Sequence, residues 1–296
     1  MKQLALILSL LLPAAALAQG KPDIVEVLEI NGEINGATAS HVAQFVEKAN
    51  DNAKVKAVVL VLDTPGGSVT ASSAIYEDLA RLKAPVIVWC QSLCASGGVY
   101  AAMSPAVKWV AVRQETIGGS VGVIMQMMRF HRLLEWAKVD PKTYRSGHLK
   151  DAGNPLRAGE EAEEKYLQSI VASLADKFYG IVEKSRGAKI KDWEAIKTAR
   201  IFIGPEIVKV GLADAVATKA DVIAKAKELS GSKIIFTREE LQKMSSAAHS
   251  DPSFHSPTPA PRLDHGFGDI PWIVETAKEI MGGQSVKFSY KLPYAF

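Results

Sequence analysis

Residues 56–68 read KAVVLVLDTPGGS, and this stretch decides the fold. The run from Ala57 to Leu62 is apolar without interruption. A strand covered on one face alternates apolar and polar residues, whereas a strand covered on both faces does not, and such strands belong to parallel sheets flanked by helices. Pro65, Gly66 and Gly67 break the run, and Val69 to Leu82 then carries helical spacing. Working outward, Ile24 to Ile30 alternates as a strand, Ala37 to Ala49 reads as a helix, and Val86 to Cys90 is a second buried strand. Ala95 to Met103 reads as a short helix of small residues, with strands at Val107 to Val112 and Val121 to Met125. Strands alternating with helices across short loops require right-handed crossovers, so an α/β fold with repeated βαβ or β-β-α units and a mostly parallel sheet is expected.

The rest of the chain is more helical. Glu160 to Arg186 is a long amphipathic helix, followed by shorter helices at Val222 to Leu229, with Asp221 as N-cap, and at Arg238 to Met244. Residues 245–269 are rich in Ser, Pro, His and Gly and read as an exposed linker. A last helix at Pro271 to Met281 and a short strand at Val286 to Tyr290 follow. The apolar finish from Phe288 to Phe296 suits a strand on its own domain, a substrate groove or a covered subunit edge.

Composition narrows the class. Of 296 residues, 48% are hydrophobic and 23% charged, which excludes a disordered chain and a multi-span membrane protein. The 35 basic and 32 acidic side chains leave a net charge of +3, with no basic run to suggest nucleic acid. Two cysteines make neither a disulfide framework nor a four-thiolate zinc site, and no metal or other cofactor is implied. Residues 1–18 have a basic start, an apolar core and an Ala16-Leu17-Ala18 exit, the parts of a secretory signal peptide cleaved after Ala18. An uncleaved membrane anchor is the rival reading, although the apolar stretch falls short of the ~20 residues a spanning helix needs. Either way the body of the protein is expected outside the cytoplasm, in the periplasm or cell envelope. The expected division is a leader at 1–18, a main domain at 22–230 and an extension at 231–296.

In parallel sheets, chemistry collects at the carboxyl ends of strands. Three loops fall there. Asp63 to Ser68 has glycines that can expose backbone N–H groups as an oxyanion hole, or simply make a turn. Ser92 to Gly98 places Ser96 at a strand-to-helix junction, as a nucleophile or an N-cap. Cys94 is a rival nucleophile there, with His131 or His148 as its base, and it can alternatively pair with Cys90. Gly118 to Gly122 contains a literal G-x-S-x-G around Ser120, but a nucleophile elbow must open a helix, and Val121 to Ile124 reads as a strand. Finally, Lys150 is flanked by Leu149 and Gly147; desolvated it can serve as a base, and otherwise it is an exposed loop lysine.

Taken together, Asp63-Thr64-Pro65-Gly66-Gly67, Ala95-Ser96-Gly97-Gly98-Val99-Tyr100, Gly119-Ser120-Val121-Gly122-Val123 and Ser146-Gly147-His148-Leu149-Lys150-Asp151 resemble the S49 serine peptidases, the signal peptide peptidase A group, related in fold to the Clp protease and crotonase superfamily. The likeness runs from Ile24 to Ala217, about two thirds of the chain. It implies a Ser-Lys dyad: Ser96 as nucleophile, Lys150 as general base and Ser120 orienting the lysine amine. It implies Gly67 and Gly97 as oxyanion-hole donors, with Gly66 and Gly98 beside them as substrate-binding positions. Leu149 stands where the family often has tyrosine. The substrates implied are unstructured apolar peptides such as remnant signal peptides. The assembly implied is a homo-oligomeric ring in which the lysine can come from a neighbouring subunit. Three other readings stay open: a phage-type capsid-assembly protease, against which the leader argues; a crotonase-type acyl-CoA enzyme; and an inactive scaffold. A lysine base must be neutral, against a reference pKa near 10.4, so an alkaline optimum is expected, with Val121, Val123, Leu149 and bound peptide supplying burial.

Overall fold

The computed structural model describes residues 22–232 and 235–243. The leader, the linker at 245–269 and the last helix and strand expected from the sequence lie outside the described residues.

Residues 25–232 form one compact unit built on a mostly parallel sheet. Its strands are β1 (Asp23–Asn31), β2 (Val55–Thr64), β3 (Val86–Ala95), β4 (Val107–Val112), β5 (Ile117–Gly119), β6 (Ile201–Ile203) and β7 (Ala215–Val216). The order β6-β5-β3-β2-β1 has β4 also paired with β3, and β7 paired with β4. The apolar run at Ala57–Leu62 lies in β2 with every residue buried, as burial on both faces demands. Strand β3 pairs in parallel with β2 on one edge, and on the other it changes partner. Val86 to Cys90 run beside β4, and Leu93 to Ala95 run beside β5. At this change the β2–β3 register slips, from Leu62 opposite Cys90 to Thr64 opposite Cys94. Strands β5 and β6 pair antiparallel.

Helices flank the sheet and position its exits. Helix α1 (Gly36–Asp51) starts at Asn35, whose side chain accepts from the N–H groups of Ala37 and Thr38 at 2.9 and 3.1 Å, and it buries Val42, Val46 and Ala49. Helix α2 (Val69–Ala80) buries Ile75 and Leu79, and α3 (Gly97–Ala102) is buried throughout. Helices α4 (His131–Trp136) and α5 (Glu161–Arg186) follow, then α6 (Trp193–Lys197), α7 (Pro205–Val210) and α8 (Lys219–Ser230). Tyr100 of α3 stacks edge-on against Tyr76 of α2 at 5.6 Å and tilts against Phe178 of α5 at 4.9 Å. That aromatic trio fixes α3, and with it the junction that carries Ser96. Outside this unit, residues 235–237 form the short strand β8, followed by helical residues 238–243. There Thr237 and Glu240 cap each other, each backbone N–H donating to the other's side chain.

Several expectations need correction. Val121 to Met125 is not a strand. Strand β5 ends at Gly119 with φ 105°, and Ser120 follows with φ 51°, so two successive positive φ values turn the chain out of the sheet. Helix α8 starts two residues before Asp221: Thr218 is its N-cap, and Asp221 is the N3 partner in a capping box. Strand β3 continues past Cys90 to Ala95 because β5 replaces β4 as its neighbour.

Candidate active site

Ser96 occupies the sharp turn between β3 and α3, at φ 49° and ψ −113°. A residue with a Cβ avoids that region, and holding one there costs about 1–3 kcal/mol. Ser96 stands at the N-cap position of α3, but its side chain makes no cap hydrogen bond. Its N–H donates to the Gly119 carbonyl at 2.9 Å, and its carbonyl accepts from Tyr100 at 3.0 Å. The strand–turn–helix context of a nucleophile elbow thus belongs to Ser96, whereas Ser120 follows a strand but opens no helix.

The loop after β2 lies directly on this turn. A Cβ at Gly66 would stand 2.5 Å from the Gly97 nitrogen and 2.8 Å from the Ser96 Cβ, and the backbone there has φ 93°. Only glycine meets both conditions. The loop is held from both sides. Thr64, fully buried, accepts from the Gly66 N–H through its hydroxyl at 3.0 Å. Gly66 O accepts from Ile34 N at 2.8 Å, and Ile34 O accepts from Ser68 N at 2.8 Å. The N–H groups of Gly67 and Gly97 enter none of the backbone hydrogen bonds of the described residues. Gly98 packs against Thr64, where an added Cβ would come within 2.7 Å of its methyl group.

The structure therefore gathers Gly66, Gly97 and Gly98 around Ser96, with Gly67 in the same loop, and Gly119 bonds to the Ser96 backbone. Ser120 is half-buried, and its N–H donates to the Arg200 carbonyl at 3.0 Å. Lys150 is exposed, in a turn where its N–H donates to Gly147 at 3.1 Å. Val121 is buried and Leu149 is 39% exposed. Among the described residues no hydrogen bond joins Lys150 to Ser96 or to Ser120.

Cys94 is no free thiol: it is bonded to Cys90, so its reading as a rival nucleophile falls. His148 lies 3.5 Å from Glu160, and the buried Nδ1 of His131 has no hydrogen-bond partner among the described residues. Among the described residues no group of His, Cys, Asp and Glu is arranged to hold a metal ion.

The sequence assigned no role to two residues that support the site. Thr116, fully buried, directs its hydroxyl at the carbonyls of Cys90 (2.9 Å) and Gln91 (3.2 Å) and accepts from Arg113 N–H at 2.8 Å. It seals the gap where β3 changes partner. Asp63, whose carboxylate accepts from Leu93 N–H at 3.0 Å, ties the end of β2 to the same segment.

Comparison with known proteins assigns the family. The pattern of peptidase family S49 matches residues 78–233, more than half of the chain. The chain belongs to peptidase family S49. The Clp protease pattern matches residues 24–116, in accord with the parallel sheet of this S49 chain. A Synechocystis protein named as a protease is 32% identical over 67% of this chain and 73% of its own length. A Methanocaldococcus jannaschii protein named as a protease is 32% identical over 64% of this chain and 61% of its own. An Enterococcus faecium protein bearing the name signal peptide peptidase SppA is 31% identical over 62% and 54%. The S49 chain thus spans between about half and three quarters of these relatives.

Proposed function

We propose that this S49 member is an exported or membrane-associated serine endopeptidase with a Ser96–Lys150 dyad. Its substrates would be unstructured, apolar peptides such as remnant signal peptides. The observation that carries the reading is the strained Ser96 turn, with the unengaged N–H groups of Gly67 and Gly97 on either side of the contact between the two loops. Strain held at one hydroxyl-bearing residue in a sheet exit is characteristic of catalytic positions.

In this mechanism the Ser96 hydroxyl attacks the scissile carbonyl carbon while the neutral Lys150 amine takes its proton. The Gly67 and Gly97 N–H groups hold the oxygen that becomes negative; one such donor is typically worth about 10²–10³ in rate. The Lys150 ammonium then protonates the leaving amine, and the acyl-enzyme forms. Water, deprotonated by the same amine, releases the acid and restores Ser96. Ser120 steers the amine. An extended peptide would add as a strand beside the site, with Gly66 and Gly98 leaving room for its backbone.

Lys150 is exposed on the single chain, and a base needs shelter to remain neutral near pH 8. Ile124 is 88%, Trp136 82% and Tyr144 92% exposed in the segment that carries it. A second copy covering this segment would supply the shelter and bring the amine to a neighbour's Ser96. Residues 1–18 would export or anchor the chain; among the described residues no helix is long and apolar enough to cross a membrane.

Casein hydrolysis by the wild type, Ser96→Ala and Lys150→Ala tests the proposal. Loss of activity in both variants, with an optimum above pH 8 in the wild type, is the expected result. Retained hydrolysis in either variant removes the dyad, and a wild-type optimum below about pH 6 contradicts a lysine base.

A further inference from the structure

The loop that carries Lys150 is held by a four-residue ion network. Asp151, the next residue, accepts from Arg157 Nε at 2.9 Å and from Arg157 Nη2 at 3.0 Å, a two-pronged grip. It also accepts from Arg145 Nη1 at 2.5 Å. The same Arg145 nitrogen donates to the His148 carbonyl at 3.0 Å. One guanidinium therefore clasps the chain on both sides of Lys150. Arg157 in turn bonds through Nη1 to Glu163 at 3.1 Å, and its Nη2 also meets the Glu163 carboxylate. Glu163 is 2% exposed in the first turn of α5, and its other acceptor contact is the Glu160 N–H at 3.3 Å. The series Glu163–Arg157–Asp151–Arg145–His148 O pins the lysine loop to the start of a 26-residue helix.

Ion pairs on a surface contribute little, but this network is anchored on a buried carboxylate, and removing a partner leaves that charge uncompensated. The groups facing it are Glu160, 3.7 Å from Arg145 and 3.8 Å from Arg157, and His148 beside Glu160. Asp151 and Glu163 thus meet the guanidiniums of Arg145 and Arg157, with Glu160 as a third carboxylate at the edge, and the charges of Asp151 and Arg157 offset each other in the loop that carries Lys150. Hydrogen bonds from Arg157 and then Arg145 hold the Asp151 carboxyl well below the usual range, and the hydrogen bond from Arg157 lowers the Glu163 carboxyl. Both carboxylates thus stay charged across an alkaline working range.

Resting on the dyad reading above, we infer that Asp151 and Arg157 are positioning residues for the general base. They fix the backbone that presents Lys150, and each offsets the other's charge at the residue next to it in the chain. The test measures kcat, KM and the pH profile of the full-length wild type, Asp151→Asn, Arg157→Gln and Arg145→Gln, with Lys150→Ala alongside. Displacing a reacting group by about 1 Å costs on the order of 10²-fold, so kcat should fall at least tenfold with KM little changed. The acid limb should move in opposite directions. Arg157→Gln leaves an uncompensated carboxylate that favours the lysine ammonium and moves the limb up. Asp151→Asn leaves excess positive charge and moves it down. A merely structural network would lower activity in both variants without that opposed shift, and this outcome overturns the inference. So does activity within twofold of wild type. Arg145→Gln, which spares the Arg157–Glu163 bond, stands in if the other variants fail to fold, and must show the same loss of kcat and upward limb. Loss of activity in Lys150→Ala with unaltered Asp151 and Arg157 variants defeats this inference alone; retention in Lys150→Ala defeats the dyad.

Discussion

Ser96 pays for its orientation with backbone strain, and that gives a prediction separable from catalysis. At φ 49° and ψ −113° a glycine is at ease and an alanine is not. Ser96→Gly should therefore unfold at a higher temperature than Ser96→Ala, by roughly 1 kcal/mol or more in stability, while neither hydrolyses peptide. Equal melting temperatures would mean that the turn relaxes at no cost and that the strain is not functional. The loop across from it yields a second prediction. Gly66→Ala would place a Cβ 2.5 Å from the Gly97 nitrogen, in backbone that cannot recede without moving the donor. Peptidase activity should fall by at least about 10²-fold, the worth of one oxyanion donor, with the melting temperature lowered by only a few degrees. An active Gly66→Ala enzyme would show that this loop is not part of the site.

Strand β3 is the element that connects the sheet to the site, and it is sustained by few groups. Thr116 closes its change of partner with one hydroxyl shared between two carbonyls. Thr116→Val keeps the shape and removes the donor, so a loss of about 1–3 kcal/mol in urea unfolding is expected; a change under 0.5 would refute the role. Helix α5 has a comparable anchor at its far end. Burial acts to raise the Asp214 carboxyl, but hydrogen bonds from Arg186, Lys189 and the Val110 N–H outweigh it and hold the group at about 2 against an ordinary 3.8. A lowered pKa stabilises the fold above the ordinary value and loses that contribution as pH falls through the lowered one. The stability difference between wild type and Asp214→Asn should then shrink as pH drops from about 4 to about 2; a constant difference would contradict the ion pair. The sequence alone made β2, β4, α1 and α2 readable: β2 by its unbroken apolar run, buried residue for residue, α1 and α2 by helical spacing that matches their buried residues, and β4 by its valines. Strand-exit position drew attention to Ser96 and to the loop of Gly66 and Gly67, the resemblance to the S49 peptidases joined them with Gly97 and Gly98, and the structure sets Gly66, Gly97 and Gly98 against Ser96. The short elements β6, β7, α6 and α7 did not stand out, since two to six residues carry too little period to register. Val121 to Met125 misled for a different reason: its composition suits a strand, but the positive φ values before it deny the chain a neighbour. Arg157 escaped notice because its role depends on Glu163, a residue that appears from the sequence to be only a helix-start charge.

At the scale of the whole molecule, the apolar surface is unevenly distributed. The sheet and its helices bury their large side chains, whereas residues 124–149 leave Ile124, Met128, Leu133, Trp136, Val139 and Tyr144 more than half exposed. Soluble monomers seldom present so many large apolar groups together, and clusters of this kind mark contact surfaces. Lys150 follows on the same segment, so whatever covers the cluster also alters the solvent around the proposed base. If a second copy covers this segment, assembly and activity must respond together. Sedimentation of the full chain should give a mass at least twice 31.9 kDa. Trp136→Lys with Tyr144→Lys, two changes remote from Ser96 in sequence and outside the sheet, should shift the protein toward the monomer. Specific activity should fall with it and recover as protein concentration is raised, as mass action requires of a site completed by association. A wild type that is monomeric and fully active at nanomolar concentration would disprove the shared site; so would a variant that dissociates without loss of activity, because the amine would then need no neighbour to work.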